Sequence, residues 1–202
     1  MSNRELGRIS EEEKVVVFEE ELARIYDPTV REFTRLCIVN SPDYIYIDCP
    51  TSSSGKYHPL DELCSDGTII HTKKVFTMAY ELVKALDCEN SRDLILCACI
   101  VHDLRKRGVT GEGGHTVSDH PNHAANLIDE VQEATGLLSK EQHTIVRNCV
   151  GFHYGPWSEE SWLKPMAKYT PEELCVFLSD YTVSKRFVRV DYRREAGPTK
   201  IV

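Results

Sequence analysis

The segment from Leu94 to Val101 is apolar at all eight positions and runs directly into His102-Asp103. A helix with no polar face has to be buried all round, so the chain must fold around this segment. Eight residues fall far short of the roughly 20 that span a bilayer, which makes it a core helix rather than a membrane helix. It delivers an imidazole and a carboxylate side by side into that core. Burying such a pair is costly unless something cationic compensates both groups.

The rest of the 202-residue chain supplies the surroundings. At this length, with 41% hydrophobic residues, one compact domain with one sizeable core is expected over 1–202. No internal repeat is present, and the only low-complexity tract is Ser52-Ser53-Ser54. Residues 1–67 read as an N-terminal extension. It holds a helix from about Ser10 to Tyr26 and a second one after Asp27-Pro28, where Asp suits the N-cap and Pro the first turn. A loop follows from Asn40 to about Gly67, broken by Pro42, Pro50, Gly55 and Pro59, with a β-like stretch at Tyr44-Ile45-Tyr46-Ile47. From residue 68 to 186 the pattern is helical, with helices expected at 69–87, 91–103, 119–135, 139–153 and 170–186. Capping boxes mark two of the starts, Ser139 with Gln142 and Thr170 with Glu173. Residues 187–202 read as an exposed tail. The expected fold class is therefore all-α, a helical bundle with an N-terminal helical and loop extension.

Charge and cysteine usage exclude several classes of function. The 32 acidic and 24 basic side chains leave a formal net charge of -8, which opposes binding to long duplex DNA. The N-terminus has no apolar signal core, so a cytoplasmic protein without a membrane partner is expected. The eight cysteines are dispersed, several within apolar helical stripes, and read as reduced core residues. Cys97 and Cys99 are separated by one residue and have no second pair at zinc-knuckle spacing.

The helical periodicity turns several polar groups inward. His71 precedes Val75 by one turn on the stripe Val75, Met78, Ala79, Leu82, Val83 and Leu86. In 119–135 the stripe is Ala124, Leu127, Ile128 and Val131. At roughly 100° per residue, His120 lies about 30° from its centre and His123 about 90° away, so His120 is the inward histidine. His153 continues the stripe Val146, Cys149 and Val150. His143 stands ten residues upstream, roughly 15 Å along the axis, and cannot serve the same site. Asp180 lies between Phe177 and Tyr181 at the edge of the last helix's apolar face. Each histidine alone is explained by a single hydrogen bond, but five helices that each turn His or Asp inward point to a shared purpose. Imidazole and carboxylate donors without thiolate suit Mn, Fe, Ni, Co or Zn, and a helix bundle is a natural place to assemble them.

The order of these residues resembles the HD superfamily of metal-dependent phosphohydrolases, an all-helical fold named for the His-Asp dipeptide. The resemblance covers residues 58 to about 185. It is carried by Ile70-His71-Thr72, by Cys99-Ile100-Val101-His102-Asp103-Leu104-Arg105-Lys106 and by Leu178-Ser179-Asp180-Tyr181. It implies one metal held by His71, His102, Asp103 and Asp180. Members with two further histidines hold a second metal with the Asp of the pair bridging, and here His120 and His153 match those positions. Two divalent transition-metal ions per chain are therefore expected. The run Ser52-Ser53-Ser54-Gly55-Lys56-Tyr57-His58-Pro59 looks like the loop preceding the first histidine in phage and prokaryotic HD proteins, and is more distantly similar to that of HD-domain 3'-5' exoribonucleases. Those enzymes carry Gly-Gly before the first His and Gly in the HD-x-Gly-Lys turn. This chain has Ile69-Ile70 and Arg105 there and lacks their nucleic-acid-binding domain, which argues against long RNA.

The expected chemistry is hydrolysis of a phosphate ester or phosphodiester of a nucleotide, short oligonucleotide or similar small substrate by metal-activated water. Asp103 is expected to bridge and orient. Lys106 is placed to neutralise phosphate charge. Ser54, Lys56 and His58 are candidate anion contacts, and Trp157 a candidate base-stacking residue. His115, in a glycine-rich segment, is a candidate gate. Two other classes use the same residues: a di-iron oxygenase, which would bind iron and consume oxygen, and a nucleotide-binding module that binds without turnover. HD proteins are often similar in forming dimers or larger assemblies, so a homo-oligomer is among the expected partners.

Overall fold

The computed structural model describes residues 8–52, 55–111 and 113–186. It is all-α, with no strand among the described residues. The N-terminal segment forms α1 (Glu11–Val17) and α2 (Glu19–Leu22) instead of one helix from Ser10 to Tyr26. The break falls at Phe18, which is fully buried with its ring edge-on to Tyr46. Burying an aromatic ring yields about 2 kcal/mol, more than the roughly 1 kcal/mol of one helical hydrogen bond. Helix α3 (Pro28–Val39) starts as expected, with Asp27 Oδ1 accepting from the Thr29 and Val30 amides.

The stretch read as β-like is a single helical turn, α4 (Tyr44–Ile47). No described strand is available to pair with it, and an unpaired strand would leave its backbone groups unmatched. The helical turn instead directs Tyr44 and Ile45 into the core. It also lets the Tyr44 hydroxyl donate to the Gly108 carbonyl at 2.8 Å and accept from the Arg107 amide at 2.9 Å. The extension is thereby pinned to the turn that follows His102-Asp103.

Five longer helices follow: α5 (Gly67–Ala85), α6 (Arg92–Val101), α7 (His120–Thr135), α8 (Lys140–Phe152) and α9 (Pro171–Val183). Their ends lie within a few residues of those expected, and both capping boxes form. Every residue of α6 from Leu94 to Val101 is buried. It packs against α3, α5, α8 and α9, while α7 packs on α8 and α5 on α9. The eight cysteines are free thiols and all but Cys64 are buried, as the dispersed pattern implied. No helix of the described residues is long and apolar enough to cross a membrane. The expected tail at 187–202 lies outside the described residues.

Candidate metal centre

Five helices bring six predicted side chains to one place, mostly from helix ends. His71 comes from the second turn of α5, His102 caps α6, and Asp103 lies in the turn beyond it. His120 opens α7, His153 caps α8, and Asp180 comes from the last turns of α9. The four histidines and Asp103 are buried and Asp180 is half-buried. They form two triads, His71-His102-Asp180 and Asp103-His120-His153, whose donor atoms all lie within 4.8 Å of one another in each. The Asp103 carboxylate stands between them. Its Oδ2 lies 3.5 Å from His102 Nε2, and its Oδ1 lies 3.6 Å from His120 Nε2 and 3.9 Å from His153 Nε2.

The ring nitrogens show what this arrangement is built for. The Nδ1 atoms of His102, His120 and His153 lie 2.7, 2.9 and 2.6 Å from the carbonyls of Cys99, Val117 and Val150. A carbonyl only accepts, so each Nδ1 carries the proton and each Nε2 presents a lone pair to the centre. His120 Nε2 and His153 Nε2 then face each other at 3.1 Å, two acceptors with no proton between them. In addition, His102 Nε2 and Asp103 Oδ1 are buried without a hydrogen-bond partner. Buried lone pairs converging on one another are unfavourable unless a cation lies among them. The residues therefore fit divalent metal ions, with tautomers fixed from behind as metal-binding histidines require.

The electrostatics agree. Burial pushes His102 down to about 4 and His120 down to about 3, keeping both imidazoles neutral and able to ligate. Burial also works against charge on Asp103, but Lys106 and the surrounding imidazoles outweigh it and hold the carboxyl well below its usual range. His71 differs. Burial lowers its pKa, yet hydrogen bonds to Asp180 and Glu62 prevail and raise it to about 9.

Among the other predicted residues, Lys106 is buried with Nζ 2.5 Å from Asp103 Oδ2, so it belongs to the centre. His58 stands at the edge of the centre, its ring edge-on to His71 at 5.2 Å. Trp157 is exposed and stacks on Tyr181 at 5.6 Å with ring planes 8° apart. Tyr154 connects it inward, with ring centroids 6.3 Å from Trp157 and 4.8 Å from His120. Lys56 is exposed, with its ammonium over the Tyr57 ring. Ser54 lies outside the described residues. His115 is exposed and bonds within its own loop to the Gly113 carbonyl.

Glu62 is the residue that sequence reasoning missed. It is fully buried and bonds His58, His71 and Lys74. It sits in a 3-10 turn (Leu60–Glu62) where no helical or strand periodicity applies, and its neighbour Asp61 is exposed. His123 and His143 pair with Asp119 and Asp129 rather than with the clustered residues. His123→Ala and His143→Ala are each expected to leave turnover and metal content within about twofold of wild type, as peripheral substitutions do. Loss of activity in His123→Ala with retention in His120→Ala would reverse the assignment.

One protein-family model matches the chain. The model of the family described as HD domain matches residues 68–184, a span containing all six clustered residues. No curated protein and no solved structure matches the chain.

Proposed function

From the premise that the chain belongs to the HD-domain family, a family of metal-dependent hydrolase type, we propose that it hydrolyses a phosphate ester or phosphodiester of a nucleotide or similar small phosphorylated compound. The observation that carries this reading is the pair of triads sharing the Asp103 carboxylate, with lone pairs of His102, His120, His153 and Asp103 aimed inward and unmatched. His71, His102, Asp103 and Asp180 would hold one divalent ion, and Asp103, His120 and His153 a second. Bound there, such ions supply Lewis acidity that brings a water's pKa towards neutrality and steadies phosphoryl oxygens.

The chain's own residues do the rest. Asp103, whose two oxygens face one triad each, would contribute a ligand to both ions. Lys106, held on Asp103 and isolated from bulk water, adds a permanent positive charge where a phosphate would arrive. Burial raises the worth of that charge by lowering the local dielectric. On the open side, Trp157 and Tyr154 lead from the surface to His120, and a nucleobase stacking on Trp157 would bring its phosphate towards the ions. His58, beside His71, would offer a hydrogen-bonding contact, and Lys56 a cationic one from its exposed loop. The net charge of -8 disfavours a polyanion bound along the surface, which leaves a small anion as the better fit.

Elemental analysis of chelator-free protein, followed by a screen of nucleotides and bis(p-nitrophenyl) phosphate with manganese, cobalt or iron, tests the reading. About two ions per chain and metal-dependent release of phosphate or nitrophenol are expected. A protein that takes up none of these ions would overturn it.

A further inference from the structure

His71 is the one clustered histidine whose backing differs. His102 and His153 cap their helices and His120 opens one, so each finds a carbonyl three residues back for its Nδ1. His71 lies inside α5, where nearby carbonyls are committed to the helical ladder. Its acceptor must come from another part of the chain. Glu62 supplies it, with Oε2 3.2 Å from His71 Nδ1. The same oxygen lies 2.9 Å from His58 Nδ1, and Oε1 accepts from Lys74 Nζ at 2.8 Å.

The carboxylate is held from every side. The Glu62 carbonyl accepts from the Thr51 amide at 3.0 Å, and the flanking loop is tied by Cys49 N to Ser65 O at 2.7 Å and Thr68 N to Cys49 O at 2.8 Å. Glu62 also lies outside residues 68–184, the stretch matched by the family model. We infer that Glu62 is a positioning residue for the first metal site: it holds the Nδ1 proton of His71 and so aims Nε2 at Asp180 Oδ1, 2.9 Å away, where an ion would take the place of the proton between them, and it extends the centre into the N-terminal segment. A carboxylate behind an imidazole also makes the ligand more basic than a carbonyl does, so His71 becomes the stronger donor of the four. Lys74 argues against a third ion at His58-Glu62-His71, because its ammonium already occupies Oε1. This inference rests on the metal reading above.

The test is Mn2+ binding to the metal-stripped full chain by equilibrium dialysis, with folding checked by circular dichroism. Glu62→Ala is expected to weaken one of the two binding steps by roughly 10- to 100-fold and spare the other, as loss of an outer-shell partner does. Glu62→Gln, which keeps an acceptor oxygen, is expected to restore most of the affinity. Two unchanged steps, equal weakening of both steps, or loss of a third ion would each overturn the assignment. If Glu62→Ala does not fold, nitrogen NMR of His71 in the cadmium-loaded wild type decides: Nδ1–H with metal-bound Nε2 supports the inference, and the opposite tautomer refutes it. Failure of the metal reading would appear differently, as wild-type protein that binds no ion.

Discussion

Asp103→Ala is expected to lower turnover by about a thousandfold or more, equivalent to about 4 kcal/mol of lost transition-state stabilisation, and to remove both ions. The size follows from position. Asp103 puts one carboxylate oxygen 3.5 Å from a histidine of one triad and the other 3.6 and 3.9 Å from the two histidines of the second, so its loss is felt at both. The same substitution leaves the Lys106 ammonium buried without its carboxylate, which costs about 3–5 kcal/mol of stability. A protein of this size has about 5–15 kcal/mol in hand, so the variant should remain folded but lie near the edge. Adding Lys106→Met removes the stranded charge and should recover most of the stability and none of the turnover. Urea denaturation of the single and double variants with parallel assays separates the two effects. A double variant no more stable than Asp103→Ala would show that the pair contributes nothing as a pair.

Gly155→Ala is expected to cost a large share of the stability through a single added methyl. Gly155 has φ +61°, and a Cβ there would stand 2.2 Å from Phe177 Cε2. The left-handed backbone costs an alanine about 1 kcal/mol and the overpacking about 2 more, which together lower the melting temperature by roughly 6–12 °C. Gly136 provides the control, since its φ is +62° but nothing lies within 4 Å of a Cβ. Gly136→Ala should show only the backbone cost. Calorimetry of both variants decides, and equal shifts would mean that Phe177 moves aside freely. The position bears on the site as well, because Gly155 follows His153 by two residues and Phe177 stacks beneath Tyr181, next to Asp180.

What could be read from the sequence was whatever a regular helix encodes. The stripes that place His71, His120 and His153 inward depend only on a 100° repeat, and the capping boxes at Ser139 and Thr170 are local, so these features needed no tertiary information. The resemblance carried by the His102-Asp103 flanks then agreed with the wheel. Where the chain is not periodic, the reading failed. Tyr44-Ile45-Tyr46-Ile47 has strand-like composition, but its conformation is set by a distant acceptor, the Gly108 carbonyl. Phe18 breaks a helix because of the cavity it fills. Glu62 could not be found because its partners His58, His71 and Lys74 converge only once the loop has closed over α5.

The Tyr44 hydroxyl has one further consequence. With its proton on Gly108 and a lone pair on the Arg107 amide, it joins the extension to the backbone just past His102-Asp103. The family-matched stretch is therefore not a portable module. Cutting the chain at its boundary would uncover the Gly108 carbonyl and the Arg107 amide just past His102-Asp103, and grafting the stretch onto another host would import that turn without its brace. Substitutions in the extension and in that turn should consequently be inherited together, as parts of one heritable unit, although only one of them lies within the family's sequence signature.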